Sequence, residues 1–77
     1  MIVINSLVFK STLKYTIYNN ESYSGVIFYK DNKSYDIVCN PILGNRLVIS
    51  HDYVWKDVPF SESTAHLLPE DIEVIHE

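Results

Sequence analysis

Only two glycines, Gly25 and Gly44, and a single cysteine, Cys39, occur in this 77-residue chain. A phosphate-cradling loop needs several closely spaced glycines, so nucleotide chemistry of that kind is excluded. One cysteine forms no internal disulfide, whereas small secreted folds usually carry several, and the expected compartment is a reducing cytoplasm. Cys39, His51, His66 and His76 also lack the paired ligand spacing of a zinc site, so no metal or other cofactor is expected. No apolar run approaches the roughly 20 residues of a membrane span. The N-terminal run has no basic start and is interrupted by Asn5 and Ser6, which argues against a signal peptide. Helical spacing of apolar residues is never sustained over three turns. Charged residues make up 21% and apolar residues 47% of the chain, values of a folded domain and not of a disordered one. One domain, residues 1–77, is expected. A chain this short buries only about 60% of the surface its unfolded form exposes, so a surface site is more realistic than an enclosed one.

What the chain does contain is strand after strand. Residues 2–9 form an apolar, β-branched run. Residues 12–18 alternate, with Leu13, Tyr15 and Ile17 on one face and Lys14, Thr16 and Tyr18 on the other. Asn19-Asn20-Glu21-Ser22 supplies a turn, and residues 23–30 the next strand, with Gly25 as a point of close approach. Asp31-Asn32-Lys33 leads back through a hairpin into residues 34–39. Asn40-Pro41 ends that strand, Gly44-Asn45 turns again, and residues 46–50 continue, extending to 53–58 past an irregularity at His51-Asp52. A hairpin about the Asn40–Asn45 loop places Cys39 opposite Arg46.

The end of the chain is the most distinctive part. Ala65 to Pro69 reads as a tight turn released into a closing strand, with Ile72 and Val74 pointing one way and Asp71 and Glu73 the other. Leu67-Leu68-Pro69-Glu70-Asp71-Ile72-Glu73-Val74-Ile75 resembles the closing 3₁₀ turn and last strand of Src-homology-3-like barrels, and Trp55 lies fourteen residues before Pro69. Redox-subunit members of that barrel class look similar around Phe60, Ala65, His66 and Leu67. The resemblance implies an all-β fold, a five- or six-stranded barrel with a short 3₁₀ turn before the last strand. Peptide-binding members place a tyrosine three residues after the proline, where this chain has Ile72, and carry an acidic aromatic cluster that is absent here. The polyproline groove is therefore not carried over.

Catalytic arrangements fail on geometry. Ser50-His51-Asp52 holds the residue types of a nucleophilic triad, but consecutive strand residues project to opposite faces and cannot converge. Cys39 is better read as a small core hydrophobe than as a thiolate. His66 beside the turn reads as a local hydrogen-bond donor. The chain is expected not to be an enzyme.

Aromatics and acidity remain. Six tyrosines and one tryptophan are more rings than so small an interior can hold. Trp55, Tyr53, Tyr18, Tyr23 and Tyr29 are the candidate contact residues, because exposed tyrosine and tryptophan supply rigid contact area. Residues 1–48 carry Lys10, Lys14, Lys30, Lys33 and Arg46 against Glu21, Asp31 and Asp36, a net of +2. Residues 49–77 carry Lys56 against Asp52, Asp57, Glu62, Glu70, Asp71, Glu73 and Glu77, a net of −6. That half disfavours nucleic acid and favours a protein partner with a basic surface, steered by Glu70, Asp71 and Glu73. The expected function is a non-enzymatic protein-interaction module. Lysine outnumbers arginine five to one, as in an AT-rich coding genome, which points to a phage or mobile-element accessory protein that inhibits a host factor. The alternatives are a module for single-stranded nucleic acid, using Lys14, Lys30, Lys33 and Arg46 beside stacked tyrosines, and a structural subunit or homo-oligomer.

Overall fold

A computed structural model describes residues 1–75. The chain is all-β, with eight strands among the described residues: β1 (Ile2–Ile4), β2 (Leu7–Ser11), β3 (Lys14–Asn19), β4 (Ser24–Lys30), β5 (Lys33–Asn40), β6 (Gly44–His51), β7 (Val54–Pro59) and β8 (Ile72–Ile75). They form two antiparallel sheets, one in the order β1-β2-β8 and one a meander in the order β3-β4-β5-β6-β7. A 3₁₀ turn, Ala65–Leu67, precedes β8.

The architecture departs from a five- or six-stranded closed barrel: two local turns add the extra strands, and one bend divides the chain between two sheets. Asn5 adopts a φ of 53°, which folds the N-terminal run into a hairpin pairing Ile4 with Leu7. At Thr12 and Leu13 the chain bends, the Leu13 N–H donating to Ser11 Oγ at 3.0 Å. The bend sends the two successive runs to different sheets, β2 pairing with β8 and β3 with β4. Such a bend is how a strand changes sheets at a corner. Finally, Asp52 and Tyr53 have φ values of 49° and 66°, a two-residue turn with both angles positive, so residues 46–58 form a hairpin and not one strand.

Two further turns are built by asparagine. Asn20 Oδ1 accepts from the N–H groups of Ser22 and Tyr23, and Asn40 Oδ1 from those of Ile42 and Leu43. The second of these turns sets the β5–β6 register so that Cys39 faces Asn45 and Val38 faces Arg46, one place from the sequence expectation. Because side chains alternate, that single step decides which face Cys39 occupies. It lies in the core at 2% exposure.

The core fills the space between the sheets. Phe9, Val26, Phe28, Ile37 and Leu47 are fully buried, with Ile2, Ile4, Tyr35, Leu68 and Ile72 around them. Phe9 meets Phe28 edge-on with ring centroids 5.9 Å apart, joining β2 to β4 across the layers. Tyr35 is the tyrosine that goes inside. Ile17, expected in the interior, is instead 51% exposed, because β3 is an edge and no strand lies beyond it.

Candidate interaction surface

Cross-strand register lays out the outer face of the five-stranded sheet as rows. One runs Lys14–Tyr29–Ser34–Ser50–Trp55, the next Thr16–Ile27–Asp36–Val48–Asp57, and the third Tyr18–Gly25–Val38–Arg46–Pro59. The small sheet packs against the opposite face, beside the core, so these rows face solvent. In the first row Tyr29 and Trp55 stand on either side of Ser34 and Ser50. Three strand spacings separate them, about 14 Å. Tyr29 and Trp55 thus flank a strip of the outer face along β5 and β6, the trough, which carries Ser34, Ser50, Val38 and Val48 together with Asp36 and Arg46. Trp55 is 66% exposed. The Tyr29 hydroxyl donates to Thr16 Oγ1 at 3.3 Å.

Tyr18 is held across this face. It sits opposite Gly25, where a Cβ would overlap the Tyr18 hydroxyl and lie 2.6 Å from the Ile37 carbonyl oxygen. Only glycine leaves room for the ring, which covers the bare backbone. The ring ends at Asp36, its hydroxyl donating to Oδ1 at 2.6 Å. Burial, and then this bond to a carboxylate, push the Tyr18 hydroxyl well above its ordinary pKa of 10.0. Burial also raises Asp36 above its ordinary value of 3.8, against the stabilising hydrogen bond from Tyr18. An aspartate half-buried in the middle of an apolar face is thus satisfied by one tyrosine. Tyr23 packs edge-on to Tyr18 with centroids 6.1 Å apart.

Tyr53, at the tip of the β6–β7 turn, is fully exposed and touches none of these rings. Glu70, Asp71 and Glu73 lie apart from the aromatic trough. Asp71 pairs with Lys30 Nζ at 2.5 Å, and Lys30 leaves β4 on the face opposite Tyr29. That carboxylate, more than any other neighbour, raises the Lys30 pKa. Glu73 lies opposite Lys10 across the β2–β8 ladder, and Glu70 is exposed nearby. Aromatic and acidic residues therefore form two groups on different sides of the molecule.

Two of the four cations considered for nucleic acid are engaged, Lys30 by Asp71 and Arg46 by Asp57 at 2.9 Å. His51 Nε2 lies 3.2 Å from Asp52 Oδ2 in the open, and Ser50 projects to the outer face opposite Ser34 and Trp55. Cys39 is buried, which raises its thiol pKa and leaves it without the exposure a nucleophile needs. Among the described residues no three His, Cys, Asp or Glu side chains gather as a metal site, and His76 lies outside those residues. Among the described residues no helix is long and apolar enough to cross a membrane.

Sequence reasoning missed two features. Ile42 and Leu43, exposed at 88% and 81%, form an apolar tip on the β5–β6 loop, signalled only by two aliphatics held between Pro41 and Gly44. A groove of about 280 Å³ also runs between β2, β8 and the 60–65 loop, lined by Leu7, Val8, Phe60, Ala65, Val74 and Ile75. Its lining mixes strands far apart in the chain. Compared with known proteins, the chain matches no family model, no curated protein and no solved structure.

Proposed function

We propose that this chain is a non-enzymatic interaction module that binds a protein partner along the outer face of its five-stranded sheet. The observation that carries the reading is the trough between Tyr29 and Trp55, with Ile27, Val38 and Val48 partly exposed beside it. An uncovered sheet face with rigid aromatic walls offers contact area at low entropic cost. Glu70 and Glu73 lie elsewhere, and their role is long-range steering of a partner with a basic surface, over about a Debye length of 8–10 Å. The Src-homology-3-like reading of the fold belongs here as well. It draws support from the 3₁₀ turn before β8 and from the pairing of β8 with the first long strand. The accessory role, inhibition of a host factor by a phage or mobile-element protein, rests on the AT-rich composition alone.

The test is affinity capture from nuclease-treated lysate of the source cell, comparing wild type with Trp55→Ala and Tyr29→Ala. A stoichiometric protein retained by wild type and released by both variants, while Tyr53→Ala keeps it, supports the trough. Equal retention by all four chains removes it. Recovery of nucleic acid from untreated lysate only, lost as salt rises, would favour the nucleic-acid reading instead.

A further inference from the structure

Each of the two sheets has two edges, and the four differ in how they are guarded against pairing. β1 is three residues long. β8 carries Glu73 and follows Asp71, so two copies aligned there would bring acids together. β7 carries Lys56, Asp57 and Pro59; an antiparallel pair centred on it sets Lys56 against Lys56 or Asp57 against Asp57, and Pro59 offers no N–H. Lysine, proline and brevity are the usual devices that blunt an edge.

β3 has none of them beyond Lys14 at its start. Residues 15–18, Tyr-Thr-Ile-Tyr, are uncharged and β-favouring. They pair on one side only, with β4. On the core side Tyr15 and Ile17 are 45% and 51% exposed, although they lie opposite Phe28 and Val26 in the ladder. Tyr15 also packs against Phe28 with centroids 6.1 Å apart. The apolar layer thus runs to this edge and stops uncovered.

We infer that β3 is a self-pairing edge, and that its occupant is β3 of a second copy of this chain, added antiparallel about a two-fold axis through Thr16. In that register Thr16 meets Thr16, Tyr15 meets Ile17 of the second copy on the core side, and Lys14 meets Tyr18 of the second copy on the outer face. Aromatic and β-branched residues are favourable direct neighbours across an antiparallel pair. No like charges face each other, because the two Lys14 side chains fall at opposite ends of the pairing. The two meanders join into one ten-stranded sheet, and both outer troughs lie on the same side of it. The inference does not depend on the trough having a ligand.

Sedimentation equilibrium on the full chain, from micromolar to millimolar concentration, tests it. Wild type is expected to approach twice its 8.9 kDa mass, while Thr16→Lys and Thr16→Glu alone stay at 8.9 kDa. Mixed in equal amounts, the two variants should return to the doubled mass, because opposite charges now face each other on the axis. Wild type that remains at 8.9 kDa overturns the inference, as does a Thr16→Lys chain that dimerises like wild type. Amide exchange on wild type needs no variant: protection within residues 14–18 should rise with concentration, and protection that rises in β7 or β8 instead would place the interface elsewhere.

Discussion

The two faces of the five-stranded sheet are made by the same strands and differ only in which alternate residue points up. One carries Phe28, Ile37 and Leu47 at zero exposure; the other carries Tyr29, Asp36 and Val48 in contact with water. A face that had to be covered would not tolerate Asp36 and Asp57, and a face meant only for solvent would not collect Ile27, Val38, Val48 and Trp55. The outer face thus has a composition between that of the core and that of an ordinary charged surface.

The largest effect should come from the inner face. Phe28→Ala removes a ring packed on both Phe9 and Tyr15 and should cost about 3–5 kcal/mol in chemical denaturation, enough to unfold much of the population. Next comes the point where the two faces are closest in tolerance. Gly25→Ala drives a methyl into Tyr18 and toward the Ile37 carbonyl, and should cost about 1–3 kcal/mol. It should also free the Tyr18 ring, visible as a rise in its fluorescence quenching by added solute.

Smaller, but diagnostic, is the pH response of Asp36. Its folded pKa lies above 3.8, so the folded state holds that proton more tightly than the unfolded state. Its contribution to stability is fully present below 3.8 and is lost as pH rises through the folded value. The stability of wild type relative to Asp36→Asn should therefore fall across that interval and be flat above it. Tyr18→Phe deletes the bond that holds the pKa down, so the interval should widen upward, with a loss of about 1 kcal/mol at neutral pH. A difference between wild type and Asp36→Asn that does not change with pH would show that the carboxylate is freely solvated.

The smallest stability effect belongs to the outer wall. Trp55→Ala should change stability by no more than about 0.5 kcal/mol while abolishing partner capture. A larger loss of stability would assign the ring to the fold and not to a contact.

Much of this was legible in the sequence. Alternation in 12–18 and 23–30 gave strands, and the asparagine-rich segments gave turns, because those residues reach positive φ or cap a turn with their side chain. The closing turn and strand were equally plain. The division into two sheets was not, because nothing near Thr12 and Leu13 marks a bend, nor was the β6–β7 hairpin, because Tyr53, a bulky residue, occupies a backbone region such residues rarely visit. The site was legible in part. Alternation placed Tyr29 outside, opposite Val26 and Phe28, but the sequence did not single out Ile27, Val38 and Val48, whose partial exposure follows from the layer arrangement. Glu70, Asp71 and Glu73 were picked out by the acidity of the C-terminal third, and the sequence does not show that Asp71 pairs with Lys30, on the face opposite Tyr29.

The pairing of β2 with β8 joins residue 8 to residue 75, while every pairing from β3 to β7 is a local hairpin. Loop-closure entropy makes the local hairpins cheap to nucleate and the long return costly. The meander should therefore zip up first and β8 should dock last, over a layer already formed. Ile37→Val ought then to slow refolding, whereas Ile72→Val ought mainly to hasten unfolding. Stopped-flow rates that respond alike to the two substitutions would reverse that order. Until β8 arrives, Phe9 and the inner face of the meander, with Phe28, Ile37 and Leu47, lack part of their cover, so the interval before docking is when the chain is most prone to join the wrong partner.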